Sequence, residues 1–236
     1  MTPQKLADPV PDNTPDVQSS RLAEGARYAL LQRLTPALQH QIMGSFQSMT
    51  MIAIMLERRS SLASPDMDST RQDCALLGNV SDGAIKSIIN LLTWIRPKPA
   101  AAQPFNAGVE ECAGLLLNEL RLKGFDIANE VGTLDAQVSS QALRSVVSAV
   151  LVCLSDQSSL TGVLKLRAHR LDERIELSID LELHENQQRE MAHPNSYRLL
   201  DWQDVESLAA AESVGLARSD SGARLVFSLP LETTGD

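Results

Sequence analysis

The chain has 236 residues, 43% of them hydrophobic, enough to bury a sizeable core in one large or two small domains; two is the working number. A net charge of -9 and an aromatic content of 3% argue against a nucleic-acid surface, which needs a basic patch to displace counterions or rings for base stacking. The longest apolar runs, "SIINLL" and "SVVSAVLVCL", fall far short of the ~20 residues of a membrane span, and no basic-then-apolar leader opens the chain. A soluble, cytoplasmic protein is expected, with no membrane partner and no nucleic acid.

Residues 1–18, "MTPQKLADPVPDNTPDVQ", are rich in proline and lack apolar periodicity, and read as a disordered lead-in. From Arg21 to Arg59 the spacing of Leu30, Leu34, Leu38, Ile42, Phe46, Met49, Ile52 and Leu56 predicts one long amphipathic helix. Pro36 removes a backbone donor and crowds the preceding turn, so a kink or restart is expected there. After "SSLASPDMD", with Ser64 as N-cap and Pro65 at the first helical position, a second helix is expected to about Ile95. Its apolar side carries Cys74, Leu77, Ala84, Ile88, Leu91 and Ile95. Two long helices and a short link make an antiparallel hairpin over 19–98, whose uncovered apolar stripe predicts a dimeric four-helix bundle.

The proline- and alanine-rich stretch from Arg96 to Pro104, with its core at 99–104, is the expected domain boundary. Beyond it, 105–236 reads as an α+β domain: a helix over 107–123, a short strand at "FDIANEV", and a helix over 139–155. Two alternating strands, "GVLKLRAHR" and "RIELSIDLEL", follow as a hairpin, then a helix N-capped by Asp201 and a closing hairpin, "GLARS" and "ARLVFSLPL". Helices over one face of a mostly antiparallel sheet is the predicted layering. Cys74, Cys112 and Cys153 form no CxxC pair and sit in apolar segments, so all three read as buried, reduced thiols. His169, His184 and His193 lack ligand spacing, and no metal site is predicted.

The stretch "HQIMGSFQSM" resembles the histidine box of sensor histidine kinases, and the order of elements over 21–231 is similar to their catalytic core. That core joins a dimerisation and phosphotransfer helix hairpin to an α/β ATP-binding domain, and the resemblance places His40 at the phosphoacceptor position. The departures are specific. The helix that carries a magnesium-holding asparagine in the kinases here reads "RSVVSAVLVCLSD", without Asn. The stretch "IDLELHENQQREMAHPN" has no glycine where the kinases have Asp-x-Gly-x-Gly, and "RLLDWQDVESL" has none before the last helix. Phosphate cradles rely on backbone N–H groups that approach closely, usually at glycine; the lone "DSGA" reads as a hairpin turn. A kinase-like core that keeps its histidine and loses its nucleotide boxes resembles the bacterial histidine phosphotransferases of sporulation and alphaproteobacterial cell-cycle phosphorelays. The resemblance implies phosphoryl relay between aspartates of response-regulator receiver domains, no ATP and no cofactor of its own, with the degenerate ATPase-like domain helping to dock the partner.

Helical geometry bears on the same histidine. At 3.6 residues per turn His40 lies about 200° from both Leu38 and Ile42, away from the apolar stripe, beside Ala37, Gln41, Gly44 and Gln47. These small and neutral side chains form a surface that a partner can approach. A neutral imidazole takes a phosphoryl group from an acyl phosphate without a base of its own, while alignment and magnesium come from the receiver's acidic pocket. The kinases usually place an acid directly after the histidine; here Gln41 stands there. Two other readings stay open: a silent pseudokinase that regulates a response regulator or kinase by occupancy, and a true kinase with unrecognised nucleotide chemistry.

Overall fold

An amphipathic chain with a long first helix can bury that helix against more than one neighbour, and this one does. The computed structural model describes residues 17–62, 66–95, 101–188 and 198–229. Helix α1, Val17–Ser60, runs unbroken across Pro36. The expected restart does not occur, because Leu34 and Leu38 are buried on either side of the proline and hold both halves to one surface. Helix α2, Met67–Ile95, returns antiparallel along the second half of α1. Its start is capped by Asp66, whose carboxylate accepts from the Asp68 N–H at 3.1 Å and the Ser69 hydroxyl at 2.6 Å. Ser64 and Pro65, the expected cap and first residue, lie outside the described residues, as do residues 1–16 of the lead-in, most of the linker, and His193.

The α+β architecture is as predicted. Strand β1, Ala102–Pro104, occupies the end of the expected linker and pairs antiparallel with β3, Gln137–Ser139. Between them lie α3, Phe105–Leu122, and β2, Phe125–Asn129. The expected helix at 139–155 is built from α4, Ser140–Ala142, a π-helical turn at Leu143–Val147, and α5, Ser148–Gln157. Strands β4, Leu160–Leu171, and β5, Arg174–Gln188, form the long hairpin, turning at Asp172 with φ 47°. Asp tolerates this left-handed conformation better than most residues. Helix α6, Trp202–Ala211, starts at the predicted N-cap Asp201, which exchanges hydrogen bonds with Asp204 in a capping box. Burial works to raise the Asp204 carboxyl, but the Arg198 guanidinium and the Asp201 amide outweigh it and leave its pKa lowered. Strands β6, Gly215–Arg218, and β7, Gly222–Ser228, close the fold.

The sheet order is β2-β4-β5-β7-β6, with β2 parallel to β4 and every other pair antiparallel. Its inner face, Leu164, Leu166, Ile175, Leu177, Ile179, Leu225 and Phe227, packs under α3, α5 and α6 in one core. The outer face is charged, with Lys165 paired to Glu182 and Arg167 to Glu130. The period of two along β4 and β5 separates these faces, as a half-buried strand requires.

The first half of α1 is a third layer. Ala23, Ala26, Ala29, Leu30 and Leu34 are buried, and the helix packs on α6, α3 and α5. Small alanines let the helix axes come close. Past Leu38, α1 runs beside α2, where Ile52 is buried and Ile42, Met49 and Leu56 are partly covered, but Phe46 is left open. Phe46, expected in the core, is 47% exposed, and Ile95 and Cys74 on α2 are exposed as well. Cys112 and Cys153 are buried, as expected.

Candidate functional site

His40 lies where α1 parts from the domain. Leu38, two residues before it, is buried on the domain side, so the helical twist turns His40 outward, where it is exposed. Among the described residues its ring makes no hydrogen bond, and both nitrogens are free for a partner. It lines a cleft of about 1080 Å³. One wall is α1, with Pro36, Ala37, His40 and Gln41; the floor includes Leu91 and Trp94 at the end of α2. The opposite wall is α3, contributing Glu110, Glu111, Gly114, Asn118, Glu119 and Leu122 among others.

Of the four neighbours expected around His40, Ala37 and Gln41 line this cleft. Gly44 and Gln47 are exposed farther along the same helix and stand outside its lining. The expectation of small and neutral surroundings holds along α1 alone. Across the cleft α3 presents carboxylates, which no reading of the first helix reveals. The amphipathic pattern of α3 does put these residues on its polar side, because Phe105, Val109, Cys112, Leu116 and Leu120 occupy the other. That this polar side faces His40 depends on contacts 70 or more residues apart in sequence.

Two sets of buried charges hold the walls in place. Arg33 of α1 pairs with Asp156 of α5, both almost fully buried, and Lys123 stands 3.6 Å from the same carboxylate. Nearly two turns earlier Arg27 reaches Glu212 at 2.8 Å, an acid that also accepts from Gln141. At the other end Arg144, on the π-helical turn, clamps α2 to α3. It donates to Glu111 at 2.8 Å and to the Thr93 hydroxyl at 2.5 Å, and it stacks 5.3 Å over the Trp94 ring. The Trp94 indole N–H donates to the same Glu111 at 3.0 Å. Buried pairs of this kind fix geometry more than they add stability, since desolvation offsets most of the attraction.

Along α5, Ala149, Val150, Leu151, Val152 and Cys153 are buried apolar or thiol groups, with Ser148 and Ser155 buried among them. Among the described residues no group of three or more His, Cys, Asp or Glu is placed to hold a metal ion. His169 is exposed and lies 3.4 Å from Glu176, an ordinary contact on the outer sheet face. No helix among the described residues is long and apolar enough to cross a membrane.

No family model and no curated protein matches the chain. Among solved structures it is similar to the histidine kinase AdeS of Acinetobacter baumannii, at 14% identity and TM-score 0.41, covering 77% of this chain and 96% of that one. A histidine kinase from Burkholderia phymatum STM815 overlaps at 12% identity and TM-score 0.42, covering 91% and 98%. The blue-light activated histidine kinase EL346 of Erythrobacter litoralis overlaps at 15% and 0.40, covering 70% and 61%.

Proposed function

We propose that the protein is a homodimeric histidine phosphotransferase in a two-component phosphorelay. It takes a phosphoryl group from the aspartyl phosphate of one response-regulator receiver domain onto His40 and passes it to the aspartate of another. The observation that carries this reading is the placement of His40: an exposed imidazole without an internal partner, midway along a helix hairpin, at the mouth of an open cleft. In the transfer, a ring nitrogen lone pair forms the N–P bond as the aspartyl O–P bond breaks, and the aspartate leaves as carboxylate. The other ring nitrogen keeps its proton. The return step is the same exchange in reverse, so no oxidant, hydrolysis or ATP enters. The receiver brings magnesium, and this chain aligns the imidazole. Ala37, Gln41, Gly44 and Gln47 form the near part of the partner surface.

The degenerate ATPase-like domain is read as a docking and positioning element that binds neither ATP nor metal. Its N-terminal neighbour α1 lies against α5 and α6, tied down by buried ion pairs, where a kinase domain must swing to deliver nucleotide. The large apolar side chains left exposed on the hairpin, Met51, Ile54, Ile85, Ile89 and Leu92 among them, support the homodimer, since a second hairpin buries them. The test is transfer from purified, radiolabelled receiver domains of the same genome, with His40→Ala alongside. Label that reaches the wild type and is lost in the variant supports the phosphotransferase. Binding without label, with function retained by His40→Ala, replaces it with the pseudokinase that regulates by occupancy, a reading supported by Gln41 standing where kinases carry an acid.

A further inference from the structure

Every residue that α3 gives to the His40 cleft lies on one side of that helix. Ala107, Glu110, Gly114, Asn118 and Leu122 follow one another at intervals of three or four, opposite the buried stripe. Most of the charges on this wall are already matched. Arg144 pairs with Glu111 at 2.8 Å, Lys123 with Glu119 at 2.9 Å, and Arg121 with Asp126 at 2.7 Å. Among the described residues no ion pair holds Glu110, so the wall carries one uncompensated carboxylate facing the cleft. At its rim Leu122, a large apolar group, is 90% exposed, with none of the described residues over it. Gly114, between them, meets no atom within 4 Å of an added Cβ, so no internal packing calls for glycine there. A glycine inside a helix costs about 1 kcal/mol relative to alanine.

We propose that this outward face of α3 is the second wall of the docking site, gripping a receiver-domain segment that carries cationic and apolar side chains beside its phosphorylated aspartate. The inference rests on the phosphotransferase reading and adds the surface that selects the partner, on the same chain as the histidine it serves. Charge favours this occupant. A receiver that stabilises an aspartyl phosphate gathers cations, a metal ion or lysine, around its phosphoryl group, and the Glu110 carboxylate on the cleft wall complements them. Size agrees. At about 1080 Å³ and open to solvent along exposed residues of both walls, the cleft exceeds the usual small-molecule pocket and accommodates a turn of helix or a loop. The Arg33–Asp156 and Arg144–Glu111 pairs hold the walls apart in advance, so docking does not have to order them.

The test compares Gly114→Arg and Leu122→Asp with Gly114→Ala as the control. Arg and Ala both have room at 114, and Leu122 is exposed, so all three variants fold. Each is phosphorylated by receiver domains from the same genome and, separately, by phosphoramidate, a small donor that needs no docking surface. The expected result is a rise of about ten-fold or more in the receiver concentration giving half-maximal labelling of Gly114→Arg and Leu122→Asp. Phosphoramidate labelling of His40 stays at the wild-type rate in all three variants, and Gly114→Ala, which adds a single methyl group, raises the receiver concentration less than Gly114→Arg does. Unchanged receiver kinetics in the two variants overturns the proposal. So does equal loss with both donors, or a shift of the variants from dimer to monomer, which would assign the face to a second copy. If no receiver labels the wild type, the phosphotransferase reading fails first, and beryllofluoride-loaded receivers then decide the surface by direct binding. Binding to wild type that is lost in both variants upholds it; equal binding, or none to the wild type, overturns it.

Discussion

The exposure of His40 was legible from a local fact, its angular distance from the buried stripe at Leu38 and Ile42. The cysteines show where such reasoning stops. All three sit in apolar periodic segments, yet Cys74 is exposed while Cys112 and Cys153 are buried. Burial pushes the Cys112 and Cys153 thiols up to about 12. A raised pKa keeps the thiol protonated at pH 8, and only the thiolate is a good nucleophile. Native protein treated with iodoacetamide at pH 8 is therefore expected to label at Cys74, with Cys112 and Cys153 reacting only after unfolding, as read by peptide mass spectrometry. Labelling of Cys112 in the native state at the rate of Cys74 would contradict this. The difference between the thiols lies in what covers each segment, and α2 at Cys74 has no cover of its own.

At the scale of elements, periodicity located the hairpin, the long β-hairpin and the Asp201-capped helix with small shifts at their ends. It did not give the π-helical turn at Leu143–Val147, because hydrogen-bond register inside a helix leaves no mark on which residues are apolar. Nor did it give the short β1–β3 pair. Its two strands are separated in sequence by α3 and β2, and each is three residues long, too short to show alternation. The π turn carries Arg144, and its clamp on Glu111, Thr93 and Trp94 joins three elements. Arg144→Ala is expected to cost about 3 kcal/mol in urea unfolding, since it removes hydrogen bonds to a charged partner and a cation–π contact. Hydrogen exchange over 88–95 should rise with it. Exchange unchanged from wild type would mean that α2 is held by its apolar contacts alone.

At the scale of the whole molecule, one chain does not cover its own hairpin. Met51 and Ile54 on α1, and Ile85, Ile89 and Leu92 on α2, are exposed large hydrophobics. Exposed large apolar side chains gathered on one hairpin mark an interface. The paired substitution Ile85→Glu and Ile89→Glu is expected to convert a dimer to a folded monomer in sedimentation velocity, with circular dichroism unchanged because neither side chain lies in the chain's own core. A wild type that sediments as a monomer at micromolar concentration would remove the dimer from the proposal. Transfer to His40 is expected to survive in the monomer if both walls of the cleft belong to one chain, which ties this measurement to the docking face of α3.

Spacing along a few turns of helix or one strand was enough for the long helices and strands, their amphipathic faces, the α+β layering and the outward direction of His40. Packing across the chain sets that α1 runs unbroken through Pro36 with its first half on α6, that Phe46 and Cys74 stay exposed, and that α3 stands across from His40. These depend on which apolar face meets which, and on pairs such as Arg33 with Asp156 and Arg144 with Glu111, whose partners lie far apart along the chain. Local pattern records that a face must be covered; the covering partner is chosen by the packing of the whole.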